Sequence, residues 1–152
     1  MIAVLALTAG CRSDSRAAAC REDRSRLDQV IAIDHRADQQ LHATDLAASK
    51  GDAKAALAAL AQASPLVDTA LQQVRGWTPK TRWGMLRHDA VLNLIELRRR
   101  SLVDYEQALR SDDLQRVIDQ LAMQQAIESK AIDLEREAGE PASLEKGECD
   151  PN

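Results

Sequence analysis

The sequence predicts an all-α protein, an up-and-down four-helix bundle, and three observations support this class. Apolar residues recur at intervals of three and four along four long segments, the spacing of one helix face. The chain is 45% hydrophobic but only 2% aromatic and has no Phe, a composition atypical of β-sandwiches and barrels. No run alternates between apolar and polar residues for long enough to form a sheet. A length of 152 residues suits one compact domain.

A glycine turn separates the first two predicted helices. The first is expected over residues 14–49, and Gly51 follows its last periodic residues as a helix-ending signal. Asp52 is a good N-cap for a second helix over 52–75. Pro65 lies inside that helix and lacks the amide that the helix needs there. We therefore expect the second helix to be kinked, with a division into two short helices as the alternative.

Capping residues also mark the third and fourth helices. Thr78 followed by Pro79 predicts a cap and a first helical residue, which places the third helix over 79–110. Ser111 precedes two acidic residues that suit the first turn of a fourth helix over 112–138. No glycine separates these two segments, so one long bent helix is the alternative.

The N-terminus carries an uncharged apolar run that ends in small residues directly before a cysteine. The residues Thr8-Ala9-Gly10-Cys11 resemble the lipobox of bacterial lipoproteins, in which the signal peptide is cut before the cysteine and the thiol carries a diacylglycerol. Thr8 stands where that family usually has Leu, and the basic segment that usually begins the signal is missing. A start upstream of Met1 is therefore left open.

The resemblance implies a subcellular location for the protein and a set of regions along the chain. It implies a lipid anchor on Cys11 and, because Arg12 replaces the Asp that retains lipoproteins in the inner membrane, a place on the periplasmic face of the outer membrane. Two or three acyl chains would hold the protein firmly to the bilayer without spanning it. The expected regions are a signal peptide over 1–10, a lipid-anchored tether over 11–19, a helical bundle over 20–138 and a polar tail over 139–152.

The two remaining cysteines lie near the two ends of the predicted bundle. Cys20 is close to the start of the first helix, and Cys149 lies about ten residues beyond the fourth. An up-and-down bundle brings both termini to one end, so these thiols can meet. In an oxidising periplasm we expect a disulfide, which would account for all three cysteines with Cys11 lipidated. Two unpaired thiols are the alternative for a cytosolic protein.

One face of the first predicted helix carries the most suggestive group of polar residues. His35, Asp38, His42 and Asp45 are spaced by three, four and three residues, so all four share one helix face. Imidazole and carboxylate groups presented in this way can bind zinc or another divalent transition metal. The alternative is a polar flank with an ordinary Asp38–His42 pair. We expect no cofactor, and a divalent transition metal is the competing hypothesis.

Several polar residues fall on faces that otherwise point inward. They are Asp34, Asn93, Arg100, Asp104, Gln124 and Glu128. A buried charge needs a partner, and Asp34 is expected to pair with Arg100 across the bundle. The competing interpretation is a polar ligand cleft between helices. The basic run from Arg98 to Arg100 is expected to be a solvated flank, because consecutive residues fan around a helix.

Both tryptophans occur within seven residues of one another, beside basic residues. Trp77, Lys80, Arg82 and Trp83 therefore form a candidate partner-binding corner at one bundle end, since Trp and Arg are common at binding hot spots. The alternative is that the two indoles plug the open end of the bundle.

These features favour an interaction protein over an enzyme. The sequence has no nucleophile elbow and no phosphate-binding glycine loop. With 20 basic and 24 acidic side chains and a net charge of −4, it also lacks the basic footprint of nucleic-acid binding. We expect a non-enzymatic adaptor with a protein partner in the periplasm. Its plan is similar to the pilotins of secretion systems, and an immunity lipoprotein fits equally well. A metal- or small-ligand-binding protein is the alternative.

Overall fold

The chain is all-α, as the sequence predicted. The computed structural model describes residues 10–111 and 113–139, with side chains over 15–111 and 113–138. These residues form four helices and no β-strand. The helices are α1 (Gly10–Ser49), α2 (Ala53–Gly76), α3 (Arg82–Ser111) and α4 (Leu114–Gly139). Because α1 already begins at Gly10, the segment expected as a tether is helical. Cys149 and the polar tail lie outside the described residues.

The turn between α1 and α2 follows the predicted signals. Gly51 adopts a φ of 75°, a left-handed conformation that glycine tolerates at a helix end. The Asp52 side chain then accepts a 2.9 Å hydrogen bond from the amide of Ala55 and caps α2. α2 continues through Pro65, so the division into two short helices does not occur. A bend at Pro65 within this continuous helix stays a prediction.

The third helix begins at Arg82, three residues later than predicted, and its cap is Thr81 rather than Thr78. The Thr81 hydroxyl accepts a 2.9 Å hydrogen bond from the amide of Gly84. The amides of Lys80 and Thr81 are bound by a carboxylate of α1, which holds the chain outside the helix until that point.

α3 and α4 are separate helices, so the single long bent helix is wrong. The Ser111 hydroxyl donates to the carbonyl of Ala108 and closes α3 instead of capping α4. Asp113 provides the α4 cap, because its carboxylate accepts a 3.2 Å hydrogen bond from the amide of Arg116.

Apolar packing joins the helices in chain order. α1 lies most closely against α2, and α3 contacts both α2 and α4, whereas α4 meets α1 at fewer positions. The fully buried core includes Leu27, Val30, Val67, Val74, Ile95 and Ile127. Arg24 near the start of α1 donates a 2.9 Å hydrogen bond to the carbonyl of Ala138 at the end of α4, so these two helix ends are adjacent. In the described part of the chain, no helix is both long enough and apolar enough to cross a bilayer.

Candidate functional site

A buried carboxylate organises the loop between α2 and α3. Asp23 of α1 is only 1% exposed. It accepts hydrogen bonds from Trp77 Nε1 at 3.1 Å, the Lys80 amide at 3.0 Å, and the Thr81 amide and hydroxyl at 2.9 and 2.7 Å. Gly84 lies against the same carboxylate, and a Cβ atom there would overlap it. We call Asp23 and the loop 77–81 the Asp23 latch. It fixes the loop to the end of the bundle where α1 begins.

The latch places both tryptophans inside the bundle. Trp77 is 4% exposed and Trp83 is 2% exposed, so neither indole can reach a partner while the bundle is closed. Of the predicted partner-binding corner, only Lys80 and Arg82 are exposed. The Lys80 ammonium pairs with Glu22 at 2.6 Å. The placement matches the alternative in which the indoles plug the bundle end, because each fills core space there.

The buried basic residue of α3 is Arg98, and the predicted Asp34–Arg100 pair does not form. Arg98 is 1% exposed, and its guanidinium contacts the Asp34 carboxylate at 3.0 and 3.1 Å and also binds Asp38. Arg100 is exposed and borders a groove of about 390 Å³ between α3 and α4. Asn93 and Asp104 are exposed as well, so the prediction that they face inward is wrong.

The spacing of apolar residues in the sequence indicates that Arg98 is buried. Arg98 lies four residues after Leu94 and four before Leu102, both of which are buried. Its place on this apolar stripe indicates burial more strongly than its membership of a basic run indicates exposure. The arginine is stabilised in the core because two carboxylates of α1 face it.

Burial changes the acidity of the Arg98 partners. Loss of hydration raises the pKa of Asp34 from 3.8 to about 6, against the opposing effect of the nearby guanidinium. Burial also raises the pKa of Asp38, again opposed by Arg98. The ion pair therefore compensates only part of the penalty for removing these carboxylates from water.

The predicted metal-binding residues have separate partners on other helices. His35 pairs with Glu135 of α4, and Asp38 pairs with Arg98 of α3. Asp45 accepts a 2.9 Å hydrogen bond from the hydroxyl of Tyr105. Among the residues that the structure describes, no three His, Cys, Asp or Glu side chains are placed to hold one metal ion. The shared helix face was predicted correctly, but its members do not converge on a metal.

The Asp45–Tyr105 pair shows the same effect of burial on acidity. The Tyr105 side chain belongs to the core, and burial raises its pKa above the ordinary value of 10.0, with a further increase from the adjacent carboxylate. Burial raises the pKa of Asp45, while the hydrogen bond from the hydroxyl acts in the opposite direction. Tyr105 therefore donates a proton to this hydrogen bond and stays neutral.

Three of the predicted metal-binding residues nevertheless line one small cavity between α1, α3 and α4, which we call the acidic cavity. Its volume is about 30 Å³, and it is open to solvent. Its lining consists of Asp38, Leu41, His42, Asp45, Arg98, Gln124 and Glu128. Gln124 and Glu128 were predicted to face inward and do border this space, although Glu128 is exposed. His35 is not part of the lining.

A second concave surface, which we call the distal groove, lies at the far end of the bundle. It has a volume of about 90 Å³ and lies between the α1–α2 turn, the end of α3 and the start of α4. All of its lining residues are apolar: Ala48, Gly51, Ala53, Ala108, Leu109, Leu114 and Val117. Leu114 is 71% exposed, although its spacing of three residues from Val117 is that of one apolar helix face.

Comparison of the chain with protein-family models, with curated proteins and with solved structures finds no match.

Proposed function

We propose that the protein is a non-enzymatic adaptor, anchored by lipid on Cys11 to the periplasmic face of the bacterial outer membrane, and that it binds a protein partner at the distal groove. The observation that carries the proposal is this groove, lined by apolar side chains with Leu114 71% exposed, at the end of the bundle opposite to the start of α1. This surface replaces the tryptophan corner as the candidate contact site.

The length of α1 supports this arrangement. The helix is continuous for 40 residues, and the rise from residue 11 to residue 49 is about 57 Å at the spacing of an α-helix. An anchor on Cys11 would therefore hold one end of the bundle at the membrane and present the distal groove far from it. A rigid helix suits an adaptor because it fixes the distance between membrane and partner.

The lining of the distal groove indicates what kind of partner it would bind. With no charged side chain in the lining, an apolar side chain from a polypeptide would bury surface there without leaving a charge unpaired. Leu114 and Ile118 are 71% and 47% exposed and lie one turn apart on α4, so they extend the apolar surface beyond the groove. The proposed occupant is therefore an apolar segment of a periplasmic protein.

The proposal includes the Cys20–Cys149 disulfide. Cys20 is buried one helical turn before Arg24, and Arg24 binds the carbonyl of Ala138 at the end of α4. The end of α4 therefore lies close to Cys20, and a stretch of ten residues, the number from 139 to 148, can span up to about 35 Å. This reach supports the pairing, which would tie the tail to the anchored end.

The anchor and the contact surface are tested separately. Cys11→Ser should move the protein from the membrane fraction to the soluble fraction and abolish incorporation of labelled palmitate.

A photo-reactive amino acid at Leu114 should give one discrete cross-linked species in intact cells, and the same group at exposed Gln125 should not. Leu114→Asp should abolish the complex detected by native electrophoresis, while Ile132→Asp, at another exposed apolar site on α4, should leave it unchanged. Identical cross-linking from both positions would overturn the adaptor surface.

A further inference from the structure

The acidic cavity carries more negative charge than its own residues neutralise. Four carboxylates lie in or beside it, those of Asp34, Asp38, Asp45 and Glu128, against the one guanidinium of Arg98. With the carboxylates ionised, the group therefore carries an excess of negative charge. Arg98 is already bound by two carboxylates, so the excess remains at the mouth of the cavity, around Asp45 and Glu128.

Glu128 is the least compensated member of this group. It makes no ion pair or hydrogen bond with any residue that the structure describes. Its charge reaches both carboxylates on the opposite wall, because it raises the pKa of Asp38 and of Asp45. Like charges held this close disfavour one another, and a bound cation would relieve the repulsion.

Gln124 adds an independent observation that points to a ligand. The side chain is 4% exposed and lines the same cavity. Its Nε2 donates a 2.8 Å hydrogen bond to the Ser101 hydroxyl, and that hydroxyl donates in turn to Gln120. With the Gln124 amide in this orientation, its carbonyl Oε1 is the group left over. That oxygen is buried and has no hydrogen-bond partner, a costly state for a polar atom.

We propose that the acidic cavity binds a primary alkylammonium group, supplied by a free diamine or by a lysine side chain of a partner protein. The three N–H donors of an ammonium match the Gln124 carbonyl and the carboxylates of Asp45 and Glu128. Leu41 offers an apolar wall for the adjoining methylene groups. An ammonium suits the cavity better than a metal ion, since its hydrogen bonds are longer than metal–ligand bonds and need no closely convergent ligand set.

A free diamine and a lysine side chain both present an ammonium group. The site that would bind this group does not depend on the lipid anchor or on the distal groove. Failure of the amine experiment would therefore leave the proposed adaptor function intact. Failure of the Leu114 cross-linking would in turn leave the amine site intact, because the two surfaces share no residue.

Amide and side-chain NMR of the isotope-labelled protein provides the direct test. Addition of 1,5-diaminopentane at about 1–10 mM should give saturable shifts at Gln124, Glu128 and Asp45. Tetramethylammonium, which has no N–H donor, and an equal ionic strength of NaCl should give no saturable shift. Equal shifts with tetramethylammonium or NaCl would show simple screening and would overturn the proposal, as would the absence of saturation with the diamine.

Substitutions test the assignment of the site. Glu128→Gln should weaken diamine binding about fivefold or more, while Asp119→Asn, an exposed charge change on the same helix, should alter it by less than about twofold. Gln124→Leu should weaken binding by a similar factor, with Gln125→Leu as its exposed control. If neither Glu128→Gln nor Gln124→Leu differs from its control, the proposal fails.

A comparison of two amines identifies the source of the ligand. If Nα-acetyl-lysine methylamide binds as tightly as the diamine, the site is assigned to lysine side chains. A preference of about tenfold or more for the diamine assigns it to free amines. If neither compound binds, the proposed ammonium site is wrong.

Discussion

Replacing Asp23 by Ala should lower the free energy of unfolding by about 3–5 kcal/mol. The change leaves four buried or half-buried donors of the latch without their acceptor: Trp77 Nε1, the Lys80 amide, and the amide and hydroxyl of Thr81. Each unsatisfied donor costs about 1–3 kcal/mol, but the sum is smaller because water enters the space and the loop relaxes. The loss is large against a typical domain stability of about 5–15 kcal/mol.

Urea unfolding followed by far-UV circular dichroism measures this loss of free energy. In a thermal scan we expect the melting temperature to fall by about 10–15 °C in a domain of this size. Tryptophan fluorescence should shift to longer wavelength, since Trp77 belongs to the loop that is released and loses its hydrogen bond to Asp23, and it is now buried. Asp28→Ala is the matched control because Asp28 is an exposed residue of the same helix. Stabilities of the two variants that agree within about 0.5 kcal/mol would refute the role assigned to the latch.

Three further changes probe other parts of the fold. Gly84→Ala should destabilise by about 2–3 kcal/mol in urea unfolding, because the added methyl group overlaps the Asp23 carboxylate, whereas Gly76→Ala has open space and should be nearly neutral. Because the pKa of Asp34 rises from 3.8 to about 6 on folding, its contribution to the free energy of unfolding falls as pH increases through that window. Asp34→Asn should flatten this fall, and equal slopes for variant and parent would contradict the assignment. Tyr105→Phe should destabilise by about 1 kcal/mol through loss of one hydrogen bond, and an unchanged urea midpoint would show that the bond contributes nothing.

The helices were predictable because their signals are local. Apolar spacing, the glycine at the α1–α2 turn and the Asp52 cap depend on neighbouring residues, and the structure agrees with each. The start of α3 was predicted too early for a non-local reason. Asp23 lies 57 and 58 residues before the two amides that it binds, and no cap signal near Thr78 reveals that contact.

The candidate site was only partly predictable because its partners come from other helices. The sequence places His35, Asp38 and Asp45 on one face, but their partners depend on how far α1, α3 and α4 slide and rotate against one another. The choice between Arg98 and Arg100 illustrates this dependence. Two residues along a helix correspond to a rotation of about 200°, so one arginine is buried and the other is solvated.

The limited contact between α4 and α1 has a consequence for local stability. A partial opening that separates these two helices breaks fewer contacts than one that separates α1 from α2, so amide hydrogen exchange should be faster in α4 than in the α1–α2 hairpin. The acidic cavity has walls on both α1 and α4 and is lost in such an opening. A ligand held there would slow exchange in α4 in proportion to its occupancy, so the helix that is most easily released would also report the bound state.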